Sequence, residues 1–374
     1  MKKIVVSVIN DLSTDQRVHR HCDTLVKLGY EVLLVGRKLP NSLPLKERSY
    51  STKRMNLLFK RGALFYAEYN LRLFFFLMFN RFDGLLSNDL DTLLANFLAA
   101  KLKRKPLVYD SHEYFLEVPE LMERPAVKKV WGFIERFIFP KLDYVFTVND
   151  SIANLYHSQY GNKVGIVRNL PFKKNIPTIT RKELGLPEDK KIILLQGAGI
   201  NKDRGAEEIV EAMYFMHSDQ VIFLIIGSGD VIPELEDKIW RHGLSDKVFL
   251  KGKMPMDELI KYTSVADLGV SMDKDTNLNY RYSLPNKLFD YIQCGVPVFA
   301  SNLIEVRKVI EDYSVGYIAS NHEPSYLGNR FLEIFEDEAT LNLYKENAKK
   351  AAEELCWENE KVKFEQIINN AFQS

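Results

Sequence analysis

The stretch SLPNKLFDYIQCGVPV, residues 283–298, puts an amide, a cation and a carboxylate on one side of a short helical pattern. At about 100° per residue, Leu288, Phe289 and Ile292 share one arc, and Asn286, Lys287 and Asp290 share the opposite one. Pro285 suits the first helical position, Gly295 suits the residue after the end, and VPVFA then reads as a buried strand. First-turn amides, the positive end of the helix dipole and the Lys287 ammonium together favour a phosphate. Asp290, one turn on, suits ribose hydroxyls, although complementing the dipole would account for it as well.

A second cation follows another strand. LLQGAGINKDRGAEEIVEAM runs into Gly197 and Gly199, then a polar loop with Lys202 and Arg204, then Gly205 and a helix. Glycines let backbone amides approach a ligand, and a helix N-terminus beside a cation attracts phosphate. LIIGSGD adds Gly227 and Gly229, and FLKGK adds Gly252 with Lys253 beside it. Each alone reads as a tight turn; three successive strand ends with glycine on one sheet edge read as a surface for nucleotide phosphates.

The N-terminal half carries its own polar strand ends. VYDSHEYF places Asp110, His112 and Glu113 just past a strand. A neutral imidazole there can position a hydroxyl or stabilise developing charge; a structural histidine is the competing reading, and no further ligands stand at metal-like spacing. SNDLDTLL contains Asp89-Leu-Asp91, the Asp-x-Asp form of a metal-binding motif, but it follows a strand and precedes a helix. N-capping and dipole complementation account for both carboxylates, with Asn88 and Asp89 lining the cleft. In NDLSTDQRVHRH, Asp15 and Arg17 stand at a helix start, and Arg17 is equally a candidate for the cleft.

The elements that must hold these residues alternate along the chain. Apolar runs at 4–9, 31–36, 84–87, 107–110, 144–148 and 164–167 read as strands, separated by helical patterns such as 15–28 and 93–102. A Pro, Lys and Thr-rich linker follows. Strands then resume at 192–196, 221–226, 248–250, 268–271, 296–300 and 315–318, alternating with helices. The fold class is therefore α/β: two doubly wound, Rossmann-like domains facing a central cleft, spanning 1–170 and 188–356, with a terminal helix at 357–374 that crosses back to the first. A net charge of +1 gives no basic field for nucleic acid. Three dispersed cysteines suit a reducing cytoplasm. The run LFFFLMF is far short of the roughly 20 residues that cross a bilayer. The aromatic and basic segments NLLFKRGALFYAEYNLRLFFFLMFNRF and KKVWGFIERFIFPK read either as core helices or as a face for an anionic membrane.

With these residues in hand, the sequence resembles a family 4 glycosyltransferase of the GT-B fold. The resemblance runs from DQRVHRHCDTLVKLGYEVLLVGR through YDSHEYF to LPNKLFDYIQCGVPVFAS. It implies retaining transfer of a sugar from a nucleotide diphosphate donor, UDP- or GDP-linked, to a glycan or lipid-linked acceptor in cell-surface polysaccharide assembly. Neither metal nor cofactor would be needed, and the enzyme would be cytoplasmic, at the inner face of the cell membrane. Arg204 and Lys287 would neutralise the diphosphate, and His112 would match the family's histidine near the reacting sugar. The donor would further meet Gly197, Gly199, Gly227, Gly229, Gly252, Lys253, Tyr282, Pro285, Asn286 and Asp290. Asp15, Arg17, Asn88, Asp89 and Glu113 would stand on the acceptor side. The pattern departs from the family at Tyr282, where an acid is expected eight positions before Asp290, and at Ala198, where a basic residue often stands. A non-catalytic nucleotide-sugar-binding partner and a sugar-nucleotide epimerase are the alternatives.

Overall fold

A computed structural model describes all residues except 14, 41, 43, 46 and 374. The last of these ends the expected terminal helix and so lies outside the described residues. The chain divides into two compact units: Met1–Asn169 with Asn277–Asn279 and the stretch from Glu360 on, and Leu170–Thr276 with Tyr280–Asn359.

The first unit is built on β1 (Lys3–Asp11), β2 (Glu31–Lys38), β3 (Ser51–Asn56), β4 (Gly84–Asn88), β5 (Leu107–Ser111), β6 (Tyr144–Thr147) and β7 (Val164–Ile166). They form one sheet in the order β3-β2-β1-β4-β5-β6-β7, and every pair is parallel. The strand order reverses direction between β1 and β4, the switch point at which such sheets open a crevice at their carboxyl ends. Both β4 and β5 are buried along their whole length, as strands covered on two faces must be. The helix Gln16–Lys27 turns Val18, Cys22 and Leu25 inward, and Gly29 at φ +89° ends it. Glu360 onward supplies the rest of the cover: Phe364 stacks on His21 at 4.4 Å.

The second unit repeats the scheme with β8 (Lys191–Gly197), β9 (Val221–Gly227), β10 (Val248–Lys251), β11 (Leu268–Ser271), β12 (Val298–Ser301) and β13 (Gly316–Ala319). Their order is β10-β9-β8-β11-β12-β13, parallel throughout, with the switch point between β8 and β11. Alternation divides its core: Ile193, Leu195, Phe223 and Ile225 pack on one face, Ile192, Leu194, Ile222 and Leu224 on the other. The segment expected as a linker is tied into this unit, for Trp357 N donates to Pro171 O at 2.7 Å. Among the described residues no helix is long and apolar enough to cross a membrane.

Candidate functional site

On the second unit, the switch point gathers three charged side chains. Arg204 comes from the loop after β8, and Lys287 from the first turn of the helix Asn286–Gln293. Between them lies Asp273, two residues past β11 and 2% exposed. Lys287 Nζ stands 3.4 Å from its Oδ2 and Arg204 Nε 3.7 Å from its Oδ1. The Arg204 guanidinium also lies over the Tyr280 ring at 5.2 Å. Burial pulls the Lys287 ammonium down from its ordinary value, opposed by Asp273 and reinforced by Arg204. Two cations share one carboxylate, so the cluster keeps a net positive charge in a buried setting. That is an arrangement for a polyanion. Pro285 occupies the N-cap position and offers no side-chain acceptor to the helix's first amides. Asn286, exposed, and Tyr282, half-buried, flank that helix start.

The predicted glycines divide into two kinds. A Cβ on Gly227 would lie 1.8 Å from Gly197 O, and one on Gly229 would lie 1.8 Å from Ile200 O. Backbone packing between the loops after β8 and β9 accounts for both, so neither needs a ligand to explain it. A Cβ on Gly197 or Gly199 would meet nothing closer than 3.7 Å, and one on Gly252 nothing within 4 Å, which leaves those positions open to an incoming group. Gly252 and Lys253 follow β10 at the outer edge of the sheet, two strands from the switch point. Asp290 differs from the expectation of an available carboxylate. Lys174 Nζ pairs with its Oδ1 at 2.5 Å, and Gln196 Nε2 approaches its Oδ2 at 3.4 Å.

On the first unit, His112 sits between two carboxylates. Its Nε2 lies 2.9 Å from Asp110 Oδ2 and its Nδ1 3.2 Å from Asp89 Oδ2. A neutral ring has one N–H; two acceptors call for the imidazolium. Burial opposes that charge, but Asp110 and Asp89 outweigh it, and the ring pKa is raised to about 9. The neutral imidazole expected from sequence is thus corrected to a charged one. Asp110 is fully buried; desolvation works against its charge, yet Arg17 and His112 hold it well below the usual carboxylate range. Arg17 grips it through Nε and Nη2 at 3.0 and 2.8 Å and gives its Nη1 to Val167 O. Arg17 is only 4% exposed, so it positions Asp110 and does not face the crevice. Asp15 is a plain N-cap, accepting from Val18 N at 3.1 Å.

Asp89 overturns the capping expectation. It occupies the N-cap of the helix Leu90–Lys103, but its side chain makes no capping bond. Its backbone sits at φ +57°, ψ +165°, a region essentially restricted to glycine and costing about 1–3 kcal/mol for other residues. The strained backbone turns the carboxylate toward His112, whose N–H it also accepts at 2.9 Å. Asn88 is fully buried and donates to Ser7 O. Asp89 and the exposed Glu113 line a cavity of about 710 Å³ within this unit. Among the described residues no group of three or more His, Cys, Asp and Glu is arranged to hold a metal ion.

Known proteins share the two doubly wound sheets. The Glycosyltransferase Family 4 model matches residues 15–170 and the Glycosyl transferases group 1 model matches residues 178–351. The chain belongs to the family 4 glycosyltransferases. A relative among curated proteins, an uncharacterized glycosyltransferase of Methanocaldococcus jannaschii, is 24% identical over 301 residues, covering 74% of this chain and 72% of that one. Sucrose-phosphate synthase from Thermosynechococcus elongatus superposes with a TM-score of 0.82 at 17% identity over the full length of both chains. Anabaena HepE, solved in complex with UDP-glucose, superposes with a TM-score of 0.73 at 16% identity over 99% of each. The family 4 glycosyltransferase described here thus has the GT-B architecture of these structures. Sequence reasoning missed Asp273 and Lys174 in it: MDKDTN and FKKNIP carry no pattern that sets one charge apart from its neighbours.

Proposed function

We propose that this glycosyltransferase moves a sugar from a nucleoside diphosphate sugar to an acceptor hydroxyl with retention of anomeric configuration and without a metal. The observation that carries the donor assignment is the shared carboxylate of Asp273, which holds Arg204 and Lys287 together at the β8/β11 switch point. Preorganised cations of this kind stabilise charge as it develops on a departing diphosphate. The open backbone at Gly197 and Gly199 suits the same group, with the ribose toward Asp290 and the base toward Gly252 and Lys253. A ribose hydroxyl would compete with Lys174 for Asp290, so donor binding exchanges one partner of that carboxylate for another. In HepE a UDP-sugar is bound to a similar fold, which favours UDP among the candidate bases.

Retention follows the family. The anomeric C–O bond to the diphosphate breaks, a bond to the acceptor oxygen forms on the same face, and the hydroxyl proton passes to the departing phosphate. The first unit's contribution is to orient the hydroxyl. Asp89 is the acceptor's contact, and His112, charged and held by Asp110, fixes the Asp89 carboxylate. His112 is then a positioning residue. Elsewhere the first unit exposes aromatics in stacked pairs, Phe75 with Phe79 and Phe133 with Phe137, with Lys141 over Phe137. That surface supports peripheral contact with an anionic membrane on the cytoplasmic side, in keeping with a role in polysaccharide assembly.

Thermal unfolding with a panel of nucleoside diphosphates and their sugars tests the reading. At least one, UDP first, should raise the transition, and Lys287→Ala should remove that shift. The same variant should lose about 2–4 kcal/mol of transition-state stabilisation in transfer assays. Turnover near that of the wild type would defeat the assignment.

A further inference from the structure

The cavity that Asp89 borders in the first unit has no occupant in the transfer scheme. It lies among the helices Gly62–Phe79, Leu90–Lys103 and Pro125–Ile138 and has a volume of about 710 Å³, within the range of small-molecule sites. Its inner wall includes the buried Leu121 and Trp131, with Tyr66 edge-on to Trp131 at 5.3 Å. Ala67, Arg124 and Val130 are exposed and mark its mouth.

One polar group in it is unexplained. Asp91, 7% exposed, lines the cavity, and its buried Oδ1 has no hydrogen-bond partner. An orphaned buried carboxyl oxygen costs about 1–3 kcal/mol unless something meets it. Burial and then the neighbouring Asp89 push the Asp91 acid well up, toward its neutral form. A neutral acid calls for a hydroxyl, which can donate and accept, and gives no hold to an ammonium group. With Asp91 neutral and Asp89 paired with His112, Glu113 and Glu120 still outnumber the one cation of the lining, Arg124. A phosphate or carboxylate drawn inside would be repelled. Apart from Asn10, Asn70 and the Tyr66 hydroxyl, the remaining walls are apolar.

We propose that the acceptor is an uncharged glycoside whose apolar aglycone is attached directly to the sugar. Its sugar hydroxyls meet Asp89 and Asp91, and its aglycone fills the space against Tyr66 and Trp131. The inference rests on the transferase reading for the identity of the acceptor, but the cavity's ligand chemistry can be measured without turnover. A membrane glycolipid and a soluble alkyl or aryl glycoside share this chemistry. A sugar carried on an isoprenyl diphosphate does not, because its charges would fall among the apolar walls.

The test is equilibrium dialysis of the full chain, without donor, against octyl and phenyl glycosides of glucose, galactose, mannose and N-acetylglucosamine below their micelle-forming concentrations. At least one should bind at least ~10-fold more tightly than its free sugar, given the apolar area that its aglycone buries. Ala67→Trp, which fills the mouth from an exposed position, should abolish that gain while leaving the unfolding temperature and the nucleoside diphosphate shift unchanged. Failure of every glycoside to bind, or binding that Ala67→Trp leaves intact, overturns the proposal. Transfer assays add three arms: octyl glycoside in solution, a glycosyl diacylglycerol in phosphatidylcholine vesicles, and an isoprenyl diphosphate sugar. Preference for either of the first two supports the proposal and identifies the source, and preference for the third overturns it. Cavity binding of octyl glycosides with no transfer from any donor would defeat the transferase reading and leave the cavity assignment standing.

Discussion

His112 keeps its proton because two carboxylates outweigh the burial that opposes it, and that balance has a measurable consequence. Its pKa is raised to about 9 in the folded chain, against an ordinary value of 6.5. The stabilisation is therefore complete below about 6.5 and fades as pH rises through about 9, a change of roughly 3 kcal/mol across the window. Urea unfolding of the first unit, followed by Trp131 fluorescence, should show its midpoint falling between those pH values, and His112→Gln should flatten the dependence. A wild-type midpoint that rises over the same interval would contradict the charged ring. The residue's type and its place after a strand were legible in VYDSHEYF, but its charge was not. The second carboxylate, Asp89, arrives from a different strand end, and only the parallel pairing of β4 with β5 brings it within 3.2 Å.

At the scale of elements, the turn from β4 into the helix Leu90–Lys103 stores backbone strain at Asp89. Asp89→Gly and Asp89→Ala both remove the carboxylate, but only glycine accepts φ +57° without penalty. The glycine variant should be the more stable of the two by about 1 kcal/mol in chemical denaturation, and both should lose transfer activity. Equal stability would mean that the strain is relieved by local rearrangement. The strands of both sheets were mostly legible because their apolar runs are buried on both faces and separated by helical patterns. β3 was not anticipated. Its sequence, STKRMN, lies at a sheet edge with four of six residues exposed, so it carries neither an apolar run nor an alternation. The helix Asn286–Gln293 was legible down to its polar face, since Leu288, Phe289 and Ile292 are buried opposite Lys287 and Asp290. What lay beyond reach was partnership: Asp273 holding Lys287, and Lys174 holding Asp290. Both partners come from irregular segments, where spacing carries no geometric information.

At the scale of the whole molecule, the chain completes its first unit with its last helix. Phe364 is fully buried, stacked on His21 and edge-on to Phe146 at 5.8 Å. Nearby, Glu360 accepts from Arg168 Nε and Nη2 at 3.1 and 3.0 Å. Phe364→Ala should cost the first unit about 3–5 kcal/mol, read as a fall in the urea midpoint reported by Trp131. A loss below about 1 kcal/mol would show that the helix is an accessory to that unit. This arrangement also sets a timetable for biosynthesis. The ~190 residues between Asn169 and Glu360 take ~10–40 s to translate at ~5–20 residues per second. For that interval the first unit waits with His21 and Phe146 uncovered, while the second unit is still being made up to Asn359. A nascent chain interrupted between residues 169 and 360 therefore keeps an open apolar face on its first unit. It is a natural client for a chaperone, and it cannot act as a transferase.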